Sequence, residues 1–489
     1  MSEPQTANQT EVATSSVDKL VGMLDAEQMS AMETFIQKVG KEHAVQRVNA
    51  ALIDGYIADL DAVISAQMDE ILHNKDFQAL ESAWRGLHHL VKQAEFSKPV
   101  VFEILDCPKE ELFSDLHGAA GDEGIENQSG QFEKVYWGAY DKYGGHPYTT
   151  IVADYQFDNT PDDIQLLKYM SILGETAQLP FLANASAKFF GSEKMEDVMK
   201  QRSLVQQIKD GKQYTAWHSF RLDDRSKYIG LCLPRFLGRL PYGPETDPTK
   251  NFTYKEAVID DKGEDKSLWC SASFALAGNM VKSFEKWGWS VKIVGLDSGG
   301  KVEDLPMAFY EEDGQKKPKV PLEAAVGQAK DSELCGLGFI PLAHWDRTDY
   351  ACFFEMPSVL EAWQDKKDPI GSANRSVGSR LQYTLLVTRI AHYLKYRQVR
   401  FVGRNASSGT IKQDLTDWLN TLVAGGASPD EKQIAERPLK SFTLEVRELE
   451  EKPGYFQIDA EFKPHVAIVG MDLNLRLVAY HSNEDRKKK

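Results

Sequence analysis

Apolar residues recur along this chain with two periods, and the switches between them mark out its elements. Val17, Leu20, Val21 and Leu24 share one face of a short helix, capped by Ser15-Ser16 and carrying Asp18 in its first turn. Over residues 48–71, Leu52, Ile53, Tyr56, Ile57, Leu60 and Ile64 give a helical stripe, and over 76–91 Phe77, Leu80, Trp84, Leu87 and Val91 step by three and four. The pattern then alternates. Residues 99–105 and 149–154 read as strands, the second bounded by Gly144-Gly145 and by the 158–161 turn. A helix from Asp163 and a buried strand ending near Ser186 come next, so strand, helix and strand predict a βαβ unit with at least partly parallel pairing.

Further on, residues 269–277 continue through Val281, Phe284 and Trp287 as a helix rich in small residues, which allows close packing. Residues 289–294 read as a strand, and 339–342 and 350–354 as short apolar runs. Residues 383–394 are apolar nearly all round, as in a helix covered on every side; Gly371 to Asn374 supply its N-cap chemistry and Gly403 with Ser407–Gly409 its stop. Ile411, Leu415, Trp418, Leu419 and Leu422 give an amphipathic helix over 410–423. Period-2 runs close the chain at Phe442, Leu444 and Val446, at Phe456, Ile458, Ala460 and Phe462, and at Leu473, Leu475 and Leu477; Lys452-Pro-Gly454 turns the first onto the second. The fold class is therefore mixed α/β (α+β): a helical N-terminal region, a central α/β core and a C-terminal antiparallel meander. The boundaries read as 1–60, with a polar, disordered start before the first helices, 61–370, 371–480, and a basic disordered tail at 481–489.

Length allows roughly three domains of about 150 residues. No signal peptide and no membrane-spanning run is read, so residence in the cytoplasm is expected. The cysteines, Cys107, Cys232, Cys270, Cys335 and Cys352, are scattered and read as buried, reduced thiols. A formal net charge of -16 argues against nucleic-acid binding. Against that background, residues 369–413 contain no acid before Asp414, yet carry Arg375, Arg380, Arg389, Lys395, Arg397, Arg400, Arg404 and Lys412. These bases either complement a helix C-terminus, worth roughly 0.3 to 1 kcal/mol each, or form a surface that meets an acidic neighbour.

Catalytic and cofactor chemistry is sparse, and no cofactor, metal ligand or catalytic residue is assigned. His88 and His89 are adjacent on a helix and point about 100 degrees apart, so they cannot converge on one ion. Gly295-Leu-Asp-Ser-Gly-Gly-Lys301 has the spacing of a phosphate-binding loop up to its lysine. Val302 then stands where Ser or Thr would hold magnesium, and Glu303-Asp304 bring carboxylates where phosphates would sit. A cytosolic α/β nucleotide-using enzyme with a degenerate loop at 295–301 is the alternative reading; a glycine-rich turn between two strands explains the same residues.

Several stretches carry a family resemblance. Ala373-Asn-Arg-Ser-Val-Gly-Ser-Arg-Leu-Gln-Tyr383 with Arg389-Ile-Ala-His-Tyr-Leu-Lys395, the 76–91 run, Lys188-Phe-Phe-Gly191 and Pro234-Arg-Phe-Leu-Gly-Arg-Leu-Pro-Tyr-Gly243 together resemble the VipB/TssC family, the large subunit of the type VI secretion contractile sheath. The resemblance implies a non-enzymatic subunit that copolymerises with a VipA/TssB-type small subunit and with further copies of itself around an Hcp tube, on a baseplate. It implies that a ClpV-type AAA+ unfoldase grips the N-terminal region, which points to Val17, Leu20, Val21 and Leu24. Docking of that helix on the chain's own core is the other reading. The 410–423 helix resembles the tube-attachment helix of contractile tails, or is an ordinary packing helix. Arg397, Arg400, Arg404, Lys412, Leu444, Val446, Leu475 and Leu477 are the expected interface residues, the leucines and valine through strands shared with neighbouring subunits.

Overall fold

The computed structural model describes residues 50–119, 129–140, 145–250, 252–259, 264–307, 309–312, 315–318, 320–344, 348, 350–362, 369–399, 401, 407–426, 429–448 and 456–465. The chain divides into two compact units, residues 1–70 with 250–254, and the remainder. In the first, the described part is dominated by helix α1 (Ala50–Leu72). Within its apolar stripe Tyr56 is half-buried, while Ile57, Leu60 and Ile64 are exposed. Tyr254 donates its hydroxyl to Asp69 at 2.6 Å, tying the helix to the returning loop. The Val17 helix lies outside the described residues.

The second unit is built on a parallel sheet. Strands β1 (Ile151–Phe157), β2 (Phe181–Ala185), β3 (Ile229–Leu233) and β5 (Phe339–Pro341) lie in that order, every neighbouring pair parallel; β4 (Lys301–Val302) belongs to a separate small sheet. Between the first two strands runs α4 (Pro161–Ala177), started by Thr160, whose hydroxyl accepts from the Asp163 N–H, and by Pro161 in its first turn. The expected βαβ unit is present. Alternate residues of the buried strands serve opposite faces, as the pleat requires: Phe181, Ala183 and Leu231 join a cluster with Leu167 and Trp217, while Leu182, Cys232 and Ile340 join another with Leu276 and Leu385. Helices therefore cover both faces.

On the second face, α5 (Ala272–Trp287) lies against the sheet through Ala272, Ala275 and Leu276. Asn184, buried on β2, donates to Ser273 Oγ at 3.1 Å and accepts from the Ser273 N–H at 3.0 Å, which satisfies both polar partners inside the core. The other side of α5 receives α2 (Lys75–Lys92), where Gly86 is the point of closest approach: a Cβ there would stand 2.4 Å from the Phe274 ring. Next in the chain after α2 is α3 (Lys109–Ala119).

The C-terminal module comprises α6 (Pro369–Gly378), α7 (Leu381–Val399), α8 (Ser408–Asn420) and the antiparallel hairpin of β6 (Leu439–Glu448) with β7 (Phe456–Pro464). Over 383–394 helix α7 is covered nearly all round, as its composition predicts: Leu381 and Leu385 enter the sheet cluster, whereas Leu386, Ile390 and Leu394 pack with Ile411, Leu415, Leu419 and Phe462. Ser407 caps α8 through the Thr410 N–H.

The structure corrects three expectations. Residues 289–294 form no strand, because a side chain of helix α5 takes their main chain: Ser283 Oγ donates to the Trp289 carbonyl and accepts from the Lys292 N–H. Gly371 to Asn374 lie inside α6 and do not cap the next helix; the break falls at Ser379-Arg380, where Ser358 N–H donates to Ser379 O and Leu381 N–H to Met356 O. Residues 99–105 run without turn, bend or strand pairing.

Candidate assembly interface

Several bases of the acid-free stretch have partners within the chain before any neighbour is considered. Arg375 donates to Asp224 at 2.6 Å and to the carbonyls of Glu361 and Leu222. Arg389 lies 4.8 Å from the Tyr393 ring centroid, and Lys395 lies 4.1 Å from that of Tyr136, reaching its hydroxyl at 2.5 Å. Arg397 donates to Asp414 at 3.1 Å and stacks over Trp418. Lys412 is exposed on α8, while Arg400 and Arg404 lie outside the described residues.

In the hairpin, Leu444 faces Ala460 and Val446 faces Ile458 across the strands. Leu444 is buried in the module's own core with Phe462, and Val446 packs against it. Thr443, Glu445 and Arg447 occupy the opposite, exposed face. Among the described residues the hairpin stands as a two-stranded sheet. Leu475 and Leu477, and the 452–454 turn, lie outside them.

The glycine-rich loop is closed on itself. Gly295 N–H donates to Phe353 O, Gly300 N–H to Gly295 O at 2.9 Å, and Phe353 N–H to Gly300 O, so these amides are taken up in the turn. Gly299 adopts φ +91, and a Cβ there would fall 2.2 Å from the Lys292 carbonyl oxygen, a place no side chain could occupy. The loop runs directly into the short strand β4, and Lys301 Nζ rests 5.0 Å from the Tyr350 ring centroid. An open groove of about 610 Å³ beside it brings Lys282, Lys286, Lys292 and Lys301 together with Asp297, Glu303 and Glu431. Lys292 is held by Glu431 at 2.7 Å. The turn offers no helix N-terminus to a phosphate.

Sequence reasoning missed an ion network beneath the proline-bounded loop at 234–243. Arg239 grips Glu256 with contacts of 2.5 and 3.0 Å and reaches Glu81 on α2 at 2.9 Å, while Arg85 meets the same Glu81 oxygen at 2.7 Å. Burial alone would raise the Glu256 carboxyl, but hydrogen bonds from Arg239 and from the Tyr242 N–H hold it below its ordinary value. The signal available in the sequence was two arginines, Arg235 and Arg239, inside an otherwise apolar loop.

The face of α2 that carries Phe77, Leu80 and Trp84 points outward, with Leu80 57% and Trp84 62% exposed. Its inner face is Gly86 and Leu90. Large apolar side chains in solvent at helical spacing mark an interaction surface rather than a core.

Comparisons with known proteins agree with the family resemblance. Residues 54–360 match the EvpB/VC_A0108 tail sheath N-terminal domain, and residues 371–480 match the EvpB/VC_A0108 tail sheath gpW/gp25-like domain. The chain is 36% identical over 457 residues to the type VI secretion system sheath protein TssC1 of Pseudomonas aeruginosa strain PAO1, covering 92% of this chain and 91% of that protein. Among solved structures, it overlaps a chain in the cryo-EM structure of the anti-feeding prophage baseplate with a TM-score of 0.39 and 11% identity, over 78% of this chain and 83% of that one. With both sheath domains matched in order and this identity along nearly the whole length, the chain belongs to the VipB family of tail sheath proteins, as the large sheath subunit of a type VI secretion system.

Proposed function

We propose that the chain forms most of the wall of a contractile sheath, pairing with a VipA/TssB-type small subunit and stacking around an Hcp tube on a baseplate in the cytoplasm. The observation that carries this reading is the match of both sheath domains along a chain that is 36% identical to a sheath protein. Mechanism then lies in the lattice and not in a catalytic centre. Heterologous contacts that do not close generate a helical polymer, and two packings of such contacts give an extended and a contracted state. Strands shared between subunits at the β6–β7 hairpin, and at the separate 473–477 run of Leu475 and Leu477, would keep neighbours joined while the cores slide. Lys412, Arg400 and Arg404 would supply a basic face, and Arg397 its inner edge.

The N-terminal helix with Val17, Leu20, Val21 and Leu24 serves in this reading as the handle for a ClpV-type unfoldase. Deleting residues 1–26 tests it. The truncated chain should still co-sediment with the small subunit as polymer and should resist disassembly by the unfoldase. Failure to polymerise would place the helix in the core instead.

A further inference from the structure

The structure assigns an anion-binding site, fitted to a small phosphate-bearing ligand, to the groove between α5, the glycine-rich loop and the short helix Glu431–Glu436. Asn279, Lys282 and Lys286 step by three and four along one face of α5, Lys301 opens β4, and Lys432 comes from the short helix. The lining is drawn from both matched sheath domains, and the ion pair of Lys292 with Glu431 already crosses between them.

Positive charge here is in excess and unmatched. Five lysines meet three carboxylates in the groove, although the whole chain has a net charge of -16. Lys292 is taken by Glu431, and Lys432 lies 3.9 Å from Glu436. Lys282, Lys286 and Lys301 remain, and among the described residues none of the three pairs with a carboxylate. Lys286 and Lys301 rest instead on the rings of Trp287 and Tyr350. Lys282 and Lys301 are half-buried, whereas the remaining acids, Asp297 and Glu303, are exposed to water. An ammonium drawn partly out of water without a counter-charge is favoured by any anion that reaches it. Asn279 adds a buried donor to the same wall: it is 2% exposed, and its Nδ2 has no hydrogen-bond acceptor. Its terminal amide turns on a soft torsion, so an oxyanion in the groove can give it the bond it lacks.

The ligand is held by side chains. The Gly295 and Gly300 amides are spent inside the turn and offer nothing to it. Three ammonium groups on two elements suit an anion that carries several oxygens, since each lysine acts on phosphate as a point charge. A single carboxylate would leave part of that charge unmet. No bond is made or broken; occupancy braces the C-terminal module against the sheet domain.

Isothermal titration of inorganic pyrophosphate into the full chain, at constant ionic strength, tests the site. One saturable site per chain is expected, with a melting temperature that rises and then levels as the site fills. Lys282→Ala and Lys301→Ala should each weaken binding by roughly tenfold, the loss of one charge-assisted contact, and leave the melting temperature of the unliganded chain within a few degrees. Should either variant fail to fold, the opposite change serves: Asp297→Asn with Glu303→Gln removes acids from the groove and should tighten binding severalfold. Affinity unmoved by these changes, or a response that climbs without saturating, would mean an adventitious ion only and overturns the proposal. A chain that binds no pyrophosphate overturns it too. If Lys282→Ala and Lys301→Ala then abolish polymer with the small sheath subunit, the groove belongs to an acidic face of a neighbouring subunit instead.

Discussion

Arg397, in the last turn of α7, donates from Nη1 to Asp414 Oδ2 on α8 at 3.1 Å. The guanidinium also lies 5.3 Å from the Trp418 ring centroid, so one side chain joins the two helices of the C-terminal module. Both charges keep solvent access, 28% and 42% of their side-chain surfaces, so the pair is screened. A double-mutant cycle with Arg397→Ala and Asp414→Ala should therefore give a coupling of about 0.2 to 1 kcal/mol, shrinking as salt is added. A coupling of several kcal/mol would show that the pair is a fixed strut of the fold.

Close packing at Gly86 predicts a larger effect. Gly86→Ala places a methyl 2.4 Å from the Phe274 ring, and the ring is confined between α2 and α5. The variant should lose about 1 to 3 kcal/mol in denaturant unfolding even though alanine favours a helix. Phe274→Leu in the same chain should return part of the loss. An unchanged midpoint for Gly86→Ala would mean that the two helices separate freely.

Removing one member of the buried ion network should be costly. Arg239→Met leaves Glu256 with no guanidinium, although both side chains are almost fully buried. The expected loss is about 3 to 5 kcal/mol, with the double change Arg239→Met and Glu256→Met recovering much of it. Equal losses for the single and the double variant would contradict the pairing.

Acid sensitivity follows from His89 and His392, each held down to about 4 chiefly by burial. For His392, the hydrogen bond to the Ala177 carbonyl works the other way, and Arg389 and Lys395 reinforce the depression. Between the ordinary value of 6.5 and about 4 the unfolded chain binds protons that the folded chain refuses, so stability falls as pH falls through this window. Asp331, raised to about 6 by burial and the nearby Glu355, opposes the fall below pH 6. The test is a difference: His392→Gln should flatten the decline between pH 6.5 and 4 by up to about 3 kcal/mol relative to the unaltered chain. Parallel curves would show that His392 is accessible to protons in the folded state.

What the sequence disclosed is mostly what local periodicity controls. The all-round apolar run at 383–394 and the order β1, α4, β2 stand in the structure where the pattern puts them, whereas Ser407, read as part of a helix stop, caps the helix that follows. Long-range partners were out of reach. Ser283 captures the 289–292 main chain from another element, Met356 and Ser358 break the helix between Gly378 and Leu381, and Glu256 meets Arg239 across a loop. The α2 stripe was read correctly as one face, but whether Trp84 meets a core or solvent depends on what Gly86 does on the opposite side. For the interface, charge named Arg397 but could not show that Asp414 already holds it.

The central claim is that this chain is a copolymerising wall subunit, and electron microscopy of the chain coexpressed with the small sheath subunit tests it most directly. The account predicts long tubules with a ridged, cogwheel-like wall in cross-section, containing both polypeptides. Discrete particles of fixed size, with no tubules at any salt concentration, would contradict it.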